Sequence, residues 1–278
     1  MIGPRTFLAY EDFRYLKVAL GLLASAFVAF VLDAPPGGRS GSSWAGYSIG
    51  TVCLGLIVWL MWLGIRKRDY AATGAPLRGW VSAHVYLGTL LLFLVPLHSA
   101  FEFGLNVHSF AYGLLGVVVF SGILGVAFYS LVPTSMTLNR NNITLDAMLE
   151  RIAEIDSECR EAAEGLPDYY AQTVVVAIDE TRIGGNLQEQ LFWNDGECGT
   201  TRALERLRTS DVQLADDAKA QERKLVELVA RKHLLLGQIR RDVRYKALLD
   251  LWLLVHVPFA FATCAAALVH VFVVFWYH

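Results

Sequence analysis

Five apolar runs limit what this chain can fold into: residues 16–32, 47–65, 80–101, 110–132 and 248–276. Each is long enough to cross about 30 Å of hydrocarbon as an α-helix. A chain in lipid must also satisfy its backbone hydrogen bonds inside such helices. The 278 residues are 55% hydrophobic and 18% charged, well short of the charged fraction of an ordinary soluble domain. The expected fold is an all-α membrane protein with five transmembrane helices and a mostly helical insertion between spans four and five. Its expected domains are a four-span membrane domain over 1–132, the insertion over 133–246, and a fifth span over 247–278 that completes the bundle.

Orientation follows from the basic residues, which membrane proteins concentrate on the cytoplasmic side. Arg5, Arg14 and Lys17 lie in the N-terminal arm, and Arg66, Lys67, Arg68 and Arg78 flank the second connection, whereas the opposite side has only Arg39. The expected placement is the cell inner membrane, with the N-terminus and the insertion cytoplasmic and the C-terminus periplasmic. Spans three and five then run in the same direction. The N-terminal stretch MIGPRTFLAYEDFRYLK is too charged ahead of its apolar run to read as a cleavable signal peptide. A net charge of −2 gives no reason to expect nucleic acid as a partner. Cys53, Cys159, Cys198 and Cys264 are scattered with no CxxC, so no thiolate metal site, iron–sulfur cluster or c-type haem attachment is indicated.

Histidine spacing carries the chemistry. His256 and His270 are fourteen residues apart in the last run, and His84 and His98 are fourteen apart in the third. Fourteen residues are about 21 Å of helix and two heptads, so in a gently supercoiled bundle both rings leave one face. Between the last two histidines that face carries Ala260, Thr263 and Ala267; Gly88 lies one turn after His84. A face with an imidazole at each end and little bulk between has room for a large flat group. Intramembrane ionisable residues lean towards function because burying them is costly. Facing helices that each carry two such histidines would build two bis-imidazole sites, His84 with His256 near the cytoplasmic surface and His98 with His270 near the outer one. Axial histidines of this kind hold haem iron. Zinc, which takes about four close ligands, suits these pairs poorly. His108 is expected to be exposed in the outer loop, and His233 to be an ordinary residue of the insertion.

In span four, Gly113, Gly116, Gly122 and Gly125 are expected to allow close helix packing. Pro96 and Pro258 lie two residues from His98 and His256, where each removes a helical hydrogen bond. In the insertion, Thr144 should cap a helix reaching about Glu164. The segment VVVAI reads as a short strand and Ile183–Asn186 as a turn. A charged helix from about Asp211, with Leu225, Val229, Leu235, Ile239 and Val243 recurring along it, should run on into the last span and pack against the Thr144 helix.

The two histidine pairs, each with thirteen residues between its members, resemble those of the dihaem membrane cytochromes b, among them the cytochrome b of quinol–cytochrome c reductases. Placement on the third and fifth spans is most similar to the transmembrane core of ferric reductases and NADPH oxidases. The resemblance covers residues 80–101 and 248–276. It implies two b-type haems with His84, His98, His256 and His270 as axial ligands. The flavin and NADPH domains that follow the last span in ferric reductases are not expected, because the chain stops at His278 and the insertion has no GxGxxG or Walker-like loop.

The expected function is that of a dihaem subunit of an oxidoreductase complex, carrying electrons across the membrane between quinol or quinone and a redox partner. No catalytic residue is assigned. Expected partners are membrane lipid, quinone, a periplasmic cytochrome c or iron–sulfur protein, and other subunits docking on the insertion. Arg78, the Arg66–Arg68 cluster, Arg244 and Lys246 are candidate cations for inner haem propionates, with Arg39 and His108 outside. Glu102 and Asp250 are candidate quinone or proton residues. Two alternatives stay open: a ferric-reductase-like transmembrane reductase fed by a separate flavoprotein, and a membrane signalling or scaffolding protein without haem.

Overall fold

The computed structural model describes residues 7–66, 76–140, 143–192, 196, 198–210 and 212–276. It is all-α, with ten helices and no strand among the described residues: α1 Arg14–Leu32, α2 Trp44–Met61, α3 Leu63–Arg66, α4 Leu77–His98, α5 Val107–Arg140, α6 Leu145–Ala163, α7 Asp168–Asp179, α8 Leu187–Leu191, α9 Gly199–Arg208 and α10 Asp216–Trp276. Five stretches are long and apolar enough to cross a membrane: Arg14–Leu32, Trp44–Arg66, Leu77–His98, Val107–Val132 and the last part of Asp216–Trp276. Lys67, Arg68, Arg5 and Asp211, used above for orientation or helix start, lie outside the described residues. The chain divides into two compact units, 1–131 with 251–278, and 132–250.

In the first unit α4 is the central helix and packs against α1 and α2. Leu87, Leu90, Leu91, Leu94, Val95 and Leu97 are buried along it, with Ile49 and Cys53 of α2 and Leu115 and Val119 of α5 in the same cluster. Lipid tails are as apolar as leucine, so this association rests on packing rather than on exclusion of water. Within the apolar stretches of α1 and of the last span only 6% of residues are buried, against 44% for α4, so these two helices are the most lipid-facing. The third span ends earlier than its apolar run: His98 is its last helical residue. Ala100 and Phe101 turn left-handed, at φ 51° and 64°. Phe101 N–H donates to the Pro96 carbonyl and Ala100 N–H to that of Leu97, the paired bonds of a Schellman stop. Alanine stands where glycine would relieve the strain.

The second unit is built from α6, α7, α9 and the first part of α10. Thr144 caps α6, its hydroxyl accepting from Ala147 N–H. Along α6 the buried residues Met148 and Ile152 pack with Leu236 and Ile239, while Ile155, Cys159 and Ala162 pack with Leu225, Leu228 and Val229. Numbers rise on α6 as they fall on α10, so the two helices are antiparallel. The VVVAI segment is helical, within α7, not a strand: Val174 and Ala177 are buried at helical spacing, and Tyr170 and Thr173 complete the face. Tertiary burial of that face overrides the β preference of three successive valines. Gly199, the first residue of α9, sits where a Cβ would overlap the Val176 carbonyl, which brings α9 directly onto α7. Residues 183–185 are non-helical and lead to Asn186, the cap of α8.

Candidate metal centre

The site is built within the membrane unit from α2, α4, α5 and the end of α10. Its histidines are half-buried. Helix α2 supplies a socket for each histidine of α4. At one end His98 Nδ1 lies 2.7 Å from the Gly46 carbonyl, and at the other His84 Nδ1 lies 3.1 Å from the Leu60 carbonyl. Gly46 and Leu60 are themselves fourteen residues apart, so α2 repeats in reverse the spacing on α4. The Leu60 carbonyl lies in the last turn of α2, which ends at Met61, and is shared there with the Trp62 N–H. The His98 ring fits because residue 50 is glycine: a Cβ there would be 2.6 Å from Cε1 and 2.7 Å from Nδ1 of the ring.

On the other side, His256 Nδ1 is 2.8 Å from Ser121 Oγ, which itself donates to the Val118 carbonyl. Trp252 stacks on the His256 ring at 5.2 Å, and its indole N–H donates to the Ser121 carbonyl at 2.7 Å. The indole occupies a notch at Gly125, where any Cβ would overlap it. Gly122 sits 3.4 Å from His256 Cε1 by the same measure, whereas Gly113 and Gly116 face open space. Only the second half of the glycine stripe therefore serves close approach, which corrects the expectation for span four.

These contacts fix the tautomers. A carbonyl only accepts, so His84 and His98 carry the proton on Nδ1. Ser121 has spent its hydroxyl hydrogen on Val118, so His256 donates from Nδ1 as well. In all three, Nε2 keeps the lone pair that a metal takes.

Two ring pairs result. His84 and His256 have centroids 6.4 Å apart at 57°, and His98 and His270 have centroids 6.1 Å apart at 79°. His108 corrects the sequence reading. It lies in the first turn of α5, half-buried rather than exposed in a loop, with its ring 5.4 Å from that of His98 and 4.9 Å from that of His270. Asn106 places it there, since its side-chain oxygen accepts from Ser109 N–H at the helix start. His98, His108 and His270 present ligand atoms within 4.8 Å of one another, a group able to hold a metal ion. A small apolar pocket, with a cavity volume of about 70 Å³, adjoins them and is lined in part by Gly50, Cys53, Tyr112, Thr263 and Ala267.

Other candidates fall away from the cluster. Ala260 and Gly88 are half-buried but do not line the pocket. Arg78, Glu102, Asp250, Arg244 and Lys246 are exposed. Arg39 donates to the Asp33 and Val31 carbonyls and lies over Phe30, so it closes the end of α1. His233 is near Thr201 in the insertion.

Comparison with family models, with curated proteins and with solved structures found no match to this chain. Fold and site define a class nonetheless: a multi-span helical membrane protein whose intramembrane histidines include a cluster able to hold a metal ion.

Proposed function

We propose that this protein is a dihaem b-type cytochrome, the membrane subunit of an electron-transfer complex. The observation that carries this reading is the pair of ring separations, 6.4 and 6.1 Å. Two imidazoles on opposite sides of one metal, each nitrogen at about 2.0–2.1 Å, have centroids about 6.3 Å apart. Further support comes from the Nδ1 hydrogen bonds, since metal-bound histidines almost always donate their second N–H to an oxygen. His84 with His256, and His98 with His270, are the ligand pairs. Iron porphyrin, when bound, supplies one-electron chemistry, and two axial histidines favour electron transfer over oxygen binding.

The protein's part is to hold and space the two centres. The fourteen-residue separation on each helix sets them about 21 Å apart along the axis. Gly50, Thr263 and Ala267 leave room beside the outer pair; Gly88 and Ala260 keep bulk off the same helices. Arg78, at the start of α4, is the candidate cation for inner carboxylate groups. Glu102 beyond His98 and Asp250 before Trp252 are candidate proton acceptors for quinol at the outer and inner ends. The donor is membrane quinol and the acceptor a periplasmic cytochrome c or iron–sulfur protein, or the flow is reversed towards quinone. With the cytoplasm negative, an electron moving outward gains up to about 2.3 kcal/mol per 100 mV crossed. The insertion is the docking domain for other subunits of the complex.

The test is a reduced-minus-oxidised spectrum with a pyridine haemochrome assay on the purified protein in detergent. Two haems b per chain are expected. A protein without haem absorbance overturns the reading.

A further inference from the structure

The inner and outer ends of the site differ in one respect: the outer end has a third imidazole. His108 Nε2 is buried and has no hydrogen-bond partner among the described residues. The sides of the triangle formed by the three rings, 5.4, 4.9 and 6.1 Å, enclose a point about 3.2 Å from every centroid, and an imidazole whose nitrogen is about 2.0–2.1 Å from a metal puts its centroid at about that distance.

We propose that His98, His108 and His270 form a three-imidazole site for a bare divalent first-row ion, Cu²⁺ most tightly, that competes with haem at the outer end. The inference goes beyond the dihaem reading and rests on it only for the competition. Three features argue for an ion. His98 is already set in the metal-binding tautomer by the Gly46 carbonyl. His108 offers a buried nitrogen whose desolvation nothing offsets, which a metal would. No further His, Cys, Asp or Glu joins the group among the described residues, so a fourth position is left to water, the usual arrangement of an open metal site with three protein ligands. The ligand atoms span up to 4.8 Å, wider than the about 3.3 Å edge of a tetrahedron at that bond length, and ring rotation closes the difference. Cu²⁺ heads the affinity order for nitrogen ligands, above Zn²⁺. His98 and His270 belong to both sites, so a porphyrin held by that pair and a bare ion held by the three imidazoles exclude one another there.

The experiment uses the full chain in detergent, produced haem-free from haem-starved cells and titrated with Cu²⁺, with Zn²⁺ as competitor. One Cu²⁺ per chain is expected, with an electron paramagnetic resonance signal split by imidazole nitrogens. His108→Ala should weaken Cu²⁺ by more than the about 10–100-fold that loss of an outer-shell partner costs, at unchanged helical content, while His84→Ala leaves Cu²⁺ binding as it was. Copper-loaded protein should then take up one haem rather than two. Failure to bind Cu²⁺ stoichiometrically, or a His108→Ala variant that binds as wild type, overturns the proposal. The two readings fail separately: His108-dependent copper in a chain that takes up no haem sinks the dihaem reading and keeps the triad, and two haems with no copper binding does the reverse.

Discussion

Trp252 lies nearly flat on His256, with ring planes 25° apart, and its indole N–H holds the Ser121 carbonyl while the Ser121 hydroxyl holds His256 Nδ1. One residue of α5 thus fixes both members of the stack. Such outer-shell partners set ring orientation and ligand basicity. Ser121→Ala is therefore expected to weaken the metal group held by His256 by about 10–100-fold and to leave that held by His270 unchanged. Haem retention through a detergent gradient, followed at both centres by redox titration, checks this; equal loss from both contradicts it.

Gly50 and Gly55 make a matched pair on α2. A Cβ at Gly50 runs into His98, and one at Gly55 meets nothing within 4 Å. Gly50→Ala should displace the His98 ring and cost the outer centre its haem, while Gly55→Ala should retain both and gain slightly in helix propensity, about 1 kcal/mol at most. The haem content of the two variants decides it.

Lys232 is buried, with 1% of its side chain exposed and its ammonium held by Asp156 and by the Ala177 carbonyl. Removing one partner strands the other charge, at a cost of about 3–5 kcal/mol, whereas an apolar replacement of both is often neutral. Asp156→Ala should accordingly lower the unfolding midpoint of the insertion far more than the double substitution Asp156→Leu with Lys232→Met. Hydrogen exchange of α6 amides in the full chain reports it, and equal loss of protection in the two variants would count against the ion pair.

Two buried cysteines of the insertion titrate in opposite directions. Burial, with the Asp156 charge adding to it, pushes the Cys159 thiol up to about 12. Burial acts on Cys198 too, but there the hydrogen bond and charge of Arg240, with the N–H groups of Thr201 and Thr200 at the start of α9, bring the thiol below its ordinary value. A lowered folded value means that the Cys198 thiolate stabilises the fold fully above the ordinary thiol pKa, and that this is lost as pH falls through the folded value. The thermal deficit of Cys198→Ser relative to wild type should therefore be larger at pH 9 than at pH 6. A deficit independent of pH contradicts the pairing with Arg240.

The spans were legible because a length of about 20 apolar residues dictates a membrane helix almost regardless of detail. The long α10 was legible because no stop separates its charged and apolar parts. His108 was not. Its sequence neighbours, GLNVHS, form the short uncharged connection that reads as an outer loop, whereas Asn106 caps the start of α5 there and makes His108 helical. The α2 sockets were hidden for another reason. Gly46 and Leu60 act through backbone carbonyls, and Gly50 through a missing side chain, so none shows a chemical signature in sequence. The role of Trp252 was hidden too, because nothing local says that Gly125 opposes it. The VVVAI segment misled because β-branched runs favour strands until a buried helical face decides otherwise.

The central claim is two metal centres, one at each end of the paired helices, with four named ligands. Haem b per chain measured side by side in wild type, His256→Ala and His270→Ala tests it most directly. The account predicts two, one and one, with the surviving haem at a different potential in each variant. A wild type without haem, or a variant that still holds two, would contradict it.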